Sequence, residues 1–269
     1  LLHEECIKPL NSSWGSGKLC RHNLSGIFGT LLRLHRGTKQ ASAWPENPGL
    51  NQEISATMVG LISEETRLRD EICAVGKSLF DRRLTFGSTG NISARLSDGT
   101  MLMTPTNASL GFLEPARLSR FSAEGVFIDG DKPTKEAFLH SCMYCQRASA
   151  GAVVHLHSTH SVAVSILADT DPEDVLPPLT AYYVMRVGRL PLVPYFRPGD
   201  EALALAVKEK AGQSHALLLA NHGPVVAGTT LREAQYATEE LEETARLFLM
   251  LDGRKTRPLT PEQADALRS

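Results

Sequence analysis

Three of the nine histidines fall within six residues, in Val153-Val154-His155-Leu156-His157-Ser158-Thr159-His160. The β-branched run from Ala152 to His157 predicts a strand, and on a strand alternate side chains share one face. His155 and His157 then project together, a natural chelate for a divalent transition metal. The plainer reading is two polar residues on a half-buried strand, but imidazoles set beside valines need some partner. A third candidate is His222, where the apolar run Leu217-Leu218-Leu219 ends at Asn221-His222-Gly223. Strand ends of this kind often carry sites, although a structural turn histidine reads the same way. Three imidazoles with an open position would make a catalytic metal arrangement. His160 reads as a helix-start residue or a partner behind the ligands rather than a fourth ligand.

Glu136 lies in Asp131-Lys132-Pro133-Thr134-Lys135-Glu136-Ala137-Phe138, a loop entering a helix predicted over residues 134–147. A carboxylate there either points into a site from a rigid element or answers the helix dipole. His140 follows by four positions and shares its helical face, to orient the helix or pair with Glu136. Two loops suit an anion: Phe86-Gly87-Ser88-Thr89-Gly90-Asn91-Ile92-Ser93 and Thr104-Pro105-Thr106-Asn107-Ala108-Ser109. Their small residues let the backbone approach closely, and their hydroxyls and amides donate. Together with a basic residue such as Lys135 they suggest a phosphorylated substrate. Cys142 and Cys145 form a lone C-x-x-C inside an amphipathic helix and read as packing.

The elements that would position these groups alternate in type. Ser63 can cap a helix in which Leu68, Ile72, Val75 and Leu79 recur at helical spacing. Residues 91–96 and 101–103 flank a Ser97-Asp98-Gly99 turn, and Phe121 and residues 126–128 flank another at Glu124-Gly125, so two hairpins are predicted. Further helices are expected over residues 161–168, 200–210 and 231–251, with strands at 215–220 and 225–226 and an irregular proline-rich stretch between 172 and 198. This pattern predicts an α/β layered domain with a mixed, largely antiparallel sheet. No strand leads into a G-x-G-x-x-G or G-x-x-x-x-G-K-[ST] loop, which disfavours a doubly wound nucleotide fold. Residues 1–60 are turn-rich and read as a poorly ordered N-terminal extension, leaving residues 61–269 as the catalytic domain.

Composition narrows the function. The chain has 269 residues, 28 basic against 30 acidic, for a net charge of −2. No polyanion-binding surface is implied, so nucleic acid is not an expected partner. No apolar stretch of about 20 residues is present, so no membrane partner is expected. Five scattered cysteines do not look like a disulfide framework and fit a reducing cytoplasm. A core of this size needs no structural metal, so a metal here would be chemical.

The ordered series Gly90-Asn91-Ile92-Ser93, Thr104-Pro105-Thr106, Glu136, His155-x-His157 and Asn221-His222-Gly223 resembles the class II aldolase/adducin family, from about Ser63 to about Leu259. That resemblance implies a three-layer α/β/α fold and one zinc ion per subunit held by His155, His157 and His222, with manganese or cobalt as alternatives. It implies Glu136 as the acid/base residue, able also to bind the metal. It puts Asn91, Thr106, Asn107 and Thr134 at phosphate-loop positions, with Ser88 added. It implies a homo-oligomer, usually a tetramer with sites between subunits, where Tyr183 would find a place. Residues 104–111, 130–140, 155–163 and 182–188 are similar to one subgroup, the 3-oxo-tetronate 4-phosphate decarboxylases. Thr134-Lys135 stands where aldolases carry a Ser-Ser pair, and Asn107 where they carry Gly. The expected function is zinc-dependent decarboxylation of this small phosphorylated sugar acid to dihydroxyacetone phosphate, with Lys135 on its carboxylate or phosphate. The alternatives are a sugar-phosphate aldolase or 4-epimerase, of the fuculose-phosphate or ribulose-phosphate type, and a metal-free adducin-like binding scaffold.

Overall fold

The computed structural model describes residues 48–197 and 200–268, with side chains from Glu64 onward except at residue 201. The N-terminal extension expected over residues 1–60 lies, up to residue 47, outside the described residues. The first helix, α1 (Pro48–Asp81), starts fifteen residues before the predicted cap at Ser63. Ile54, Met58, Leu61 and Ile62 continue the helical spacing upstream, and Pro48 is compatible with a first helical position.

The compact unit that begins at Glu64 is built on one eight-stranded sheet. Its strands are β1 (Asn91–Arg95), β2 (Met101–Met103), β3 (Ser119–Phe121), β4 (Phe127–Asp129), β5 (Ala152–His155), β6 (Leu192–Val193), β7 (Ala216–Leu219) and β8 (Gly223–Gly228). The order is β4-β3-β2-β1-β5-β8-β7-β6, antiparallel throughout except for the parallel β6/β7 pair. Both predicted hairpins are present, as β1/β2 and β3/β4.

Alternation along the strands sorts side chains into two covered faces. Ile92, Ala94, Ala152, Val154 and Leu156 pack with Ile72 and Leu79 of α1 and with Leu231 and Ala234 of α6 (Leu231–Met250). Farther along this layer, Ala237, Leu241 and Ala245 of α6 cover Ala216, Leu218 and Val226. The opposite parity, Met101, Met103, Val153, Leu217, Val225 and Ala227, packs under α2 (Ala137–Gln146) and α5 (Glu201–Ala211). The expected three-layer α/β/α architecture with a mixed, largely antiparallel sheet is therefore the one observed. Asn91, Ser93 and His155 share the parity of Val153 and point toward the α2 layer.

The elements depart from the sequence reading where tertiary contacts intervene. β5 stops at His155, so His157 follows the strand rather than lying on it. α2 begins at Ala137 rather than residue 134, because Pro133 bridges Pro105 and Thr106 N–H donates to the Lys132 carbonyl, which keeps the approach extended. The proline-rich stretch contains α4 (Ala181–Arg186), capped by Thr180, and the two-residue β6. Among the described residues no helix is long and apolar enough to cross a membrane.

The short helix α3 (Thr159–Val164) is held by Glu242 of α6. Its carboxylate accepts the His160 and Ser161 backbone N–H groups (both 2.9 Å), the Ser161 hydroxyl (2.7 Å) and His160 Nδ1 (2.8 Å). Burial works to raise the Glu242 pKa, but the Ser161 and His160 donors outweigh it and the net shift is downward. A carboxylate depressed in the folded state stabilises above its unfolded pKa, and that stability is lost as pH falls through the folded value. Glu242→Gln should therefore lower the unfolding free energy by about 1–3 kcal/mol at pH 7. In denaturant melts repeated at falling pH, the gap to wild type should narrow below about pH 4.

Candidate metal centre

Beyond His155 the chain stays extended, because Leu156 N–H donates to the Pro224 carbonyl. Neighbouring backbones clamp this segment from both sides. A Cβ on Gly90 would stand 2.9 Å from the His155 carbonyl oxygen, and one on Gly223 would stand 2.2 Å from that of Leu156. Gly223 also holds φ +151°, a value L side chains rarely adopt. Only glycine on both flanks lets three strand ends meet here, which places His222, on the turn before β8, beside His157.

The imidazoles converge with one carboxylate. His157 Nε2 lies 3.0 Å from His222 Nε2, His222 Nε2 3.1 Å from Glu136 Oε1, and His155 Nε2 3.5 Å from Glu136 Oε2. One ligand atom from each of the four residues falls within 4.8 Å of the others. Ligands about 2.0–2.1 Å from a common ion at tetrahedral angles stand about 3.3–3.4 Å apart, so these spacings suit one coordination sphere. His155 Nδ1–H donates to the Pro224 carbonyl at 2.8 Å, which leaves the lone pair on Nε2. That Nε2 is wholly buried and has no hydrogen-bond partner. The donor set thus fits a divalent transition ion.

Protonation agrees with the geometry. Burial, with His155 and His222 nearby, pushes the His157 pKa down to about 3, and burial lowers that of His155 as well. Both rings are neutral near pH 7, the state a metal requires. Burial works to raise the Glu136 pKa, but His155 and hydrogen bonding with His222 and Asn91 carry it well below the usual carboxylate range. Glu136 precedes the first turn of α2 and makes no side-chain capping bond. It faces the imidazoles instead.

The other expected site residues divide into two groups. Asn91 and Thr134 adjoin the cluster. Asn91 Nδ2 donates to Glu136 Oε2 (2.7 Å) and Thr134 Oγ1 (3.3 Å), and Thr134 Oγ1 also accepts from Glu136 N–H (3.2 Å). The Asn91 side chain, expected at a phosphate, is occupied by Glu136. The Thr106 loop is pinned beside Thr134 through the Lys132 carbonyl. Ser88, Asn107 and Lys135 are exposed, and no hydrogen bond among the described residues ties them to the cluster. His160 binds Glu242 and belongs to the start of α3. Tyr183 is buried in the core with Leu218 and Leu241, which leaves its hydroxyl no route to a neighbouring subunit's site. Beside His157 and His222 opens a cavity of about 540 Å³ whose wall includes Phe86, Tyr195 and Phe196. Phe86, Phe196 and the Pro224 carbonyl had no local signal as site groups, since each acts through a contact distant in sequence.

The class II aldolase and adducin N-terminal domain model matches residues 70–249. A 3-oxo-tetronate 4-phosphate decarboxylase from Cupriavidus necator is 50% identical over 190 residues, which cover 71% of this chain and 87% of that protein. One of the same name from Escherichia coli is 48% identical over 205 residues, covering 76% and 97%. An L-fuculose phosphate aldolase from Methanococcus maripaludis is 37% identical, covering 69% and 98%. The crystal structure of YgbL from Escherichia coli aligns with a TM-score of 0.75 at 47% identity, covering 76% of this chain and 99% of that one.

The clamp is open to test by stability. Gly223→Ala should lower the unfolding free energy by about 1–3 kcal/mol in denaturant melts, by straining the backbone and displacing Leu156. Gly212→Ala, where the added Cβ meets only Gln146 Oε1 at 3.5 Å, should be near neutral.

Proposed function

Because the chain belongs to the class II aldolase and adducin family, we propose that it decarboxylates 3-oxo-tetronate 4-phosphate to dihydroxyacetone phosphate and carbon dioxide. One observation carries this reading: three imidazoles and a carboxylate converge on one point, in a chain that is 48–50% identical over 190–205 residues to proteins of that name. The substrate is a β-keto acid. Breaking its C1–C2 bond releases carbon dioxide and leaves an electron pair at C2, delocalised onto the C3 oxygen. A proton then bonds to C2.

We assign His155, His157 and His222 to one zinc ion per chain, with manganese or cobalt as alternatives. When bound, such an ion supplies electrophilic stabilisation for the negative charge that develops at C3. Glu136, 3.1 Å from His222 and ionised at rest, takes a proton from solvent and passes it to C2 in place of carbon dioxide, which returns it to the carboxylate. Asn91 holds one oxygen of that carboxylate. Thr134, Thr106, Asn107 and Ser88 are the proposed phosphate-binding group. Asn91 contributes there by placing Glu136, and Lys135 answers the substrate's carboxylate or phosphate. The catalytic unit is taken as residues 61–269, working in the cytoplasm as a homo-oligomer, a tetramer.

Aldol cleavage would use the same electron flow with an aldehyde as leaving group. The 37% identical aldolase keeps that reading as the second one, and Thr134-Lys135 and Asn107 weigh against it. A metal-free scaffold has no use for a buried, unpartnered His155 nitrogen.

A coupled assay for dihydroxyacetone phosphate separates the two enzymes. Zinc-loaded protein should release it from 3-oxo-tetronate 4-phosphate above spontaneous decay and not from fuculose 1-phosphate; release from the second alone would make the chain an aldolase. His157→Ala should lose both metal and turnover. Glu136→Gln should keep the metal and lower kcat by about 10²–10⁴-fold, and unchanged kinetics would remove Glu136 from the chemistry.

A further inference from the structure

Behind the metal ligands the α2 face stays polar far into the core. Glu136, His140 and Tyr144 recur every four residues, and Asn91, Ser93 and Arg95 recur every two along β1. Four helical residues rise about 6 Å and two strand residues about 6.6 Å, so the two rows keep in step. Asn91 lies 2.7 Å from Glu136, His140 Nε2 2.5 Å from Asn91 Oδ1, Ser93 Oγ 2.7 Å from His140 Nδ1 and Tyr144 OH 2.9 Å from Ser93 Oγ. The Arg95 guanidinium sits 4.2 Å over the Tyr144 ring. Asn91, Ser93, His140 and Tyr144 are all buried, His140 completely.

The first member fixes the direction of every bond. A carboxylate only accepts, so Asn91 turns its NH₂ to Glu136 and its oxygen to His140. That oxygen needs a donor, which puts the imidazole proton on Nε2. The lone pair on Nδ1 then takes the Ser93 O–H, and Ser93 in turn accepts the Tyr144 O–H. Burial keeps the ring neutral, its pKa pushed down to about 3, as this pattern requires. With Oε2 held by Asn91, Oε1 is left facing His222.

We propose that His140 is a positioning residue: its Nε2–H locks the Asn91 amide in one orientation and so aims the Glu136 carboxylate. Without that donor Asn91 is free to flip, its oxygen then repels the carboxylate, and Glu136 shifts from its place beside His222. This rests on the assignment of Glu136 to the proton at C2.

Three variants test it. His140→Gln keeps an N–H near the position of Nε2, whereas His140→Asn and His140→Leu do not. In folded, metal-loaded protein, the Gln variant should keep kcat within about 10-fold. The other two should lose about 100-fold in kcat, the scale of a misplacement near 1 Å, with KM changed less than about 3-fold and metal content unchanged. Lowered melting temperatures with unchanged kcat per folded molecule would mean a purely structural ladder and overturn the proposal. Nitrogen-15 NMR of wild-type protein gives a readout independent of turnover and of variant folding. His140 should show a protonated Nε2 and a bare Nδ1 at pH 7, with and without metal; the other tautomer or an imidazolium would overturn the proposal. A wild type that does not decarboxylate would defeat the function proposed above, and the tautomer would then decide the placement of His140.

Discussion

His155 is wholly buried and gives its Nδ1–H to the Pro224 carbonyl, so its other nitrogen holds a lone pair facing His157, His222 and Glu136. An unmatched buried acceptor costs about 1–3 kcal/mol. The cost is understandable where an ion supplies the missing partner. The surrounding structure can be derived from that need. Two backbones must approach the His155–His157 segment closely, hence glycine at 90 and 223. The middle of the sheet must be dry, hence Ile92, Val154 and Val226 on one face and Val153, Val225 and Ala227 on the other.

Glu136 reaches the same point from another layer. It sits before the first turn of α2, where a carboxylate ordinarily serves the backbone N–H groups, and makes no such bond. Its oxygens are shared between Asn91 of the central strand and the imidazoles. The carboxylate is therefore held by the sheet while carried by the helix, and its position depends on how those two elements pack. The polar row behind it, built on matched rises of helix and strand, is the device that fixes this packing.

Much of this arrangement was legible in the sequence because it repeats at short range. The two hairpins, α2, α5 and α6 follow from turn residues and periodicity, and the ordered motifs identify the four converging residues before any coordinates. What escaped was set by contacts between distant segments. β5 ends before His157, yet the imidazoles still meet, because Pro224 holds the segment extended. The two residues of β6 have no periodicity to read and exist only through pairing with β7. Asn91 reads as a phosphate donor beside glycines, and only packing against α2 reveals that its amide is engaged. Tyr183, in a stretch read as irregular and given a place near a subunit boundary by the family resemblance, is among the most buried side chains.

The central claim is that three imidazoles, with the Glu136 carboxylate beside them, define a single divalent ion site. X-ray absorption on stoichiometrically zinc-loaded protein addresses it without reference to turnover. The account predicts one tightly held ion per chain in a shell of nitrogen and oxygen at about 2.0–2.1 Å, with outer-shell scattering from three imidazoles. Binding below one ion per chain, sulfur in the first shell, or scattering from fewer than three imidazoles would contradict it.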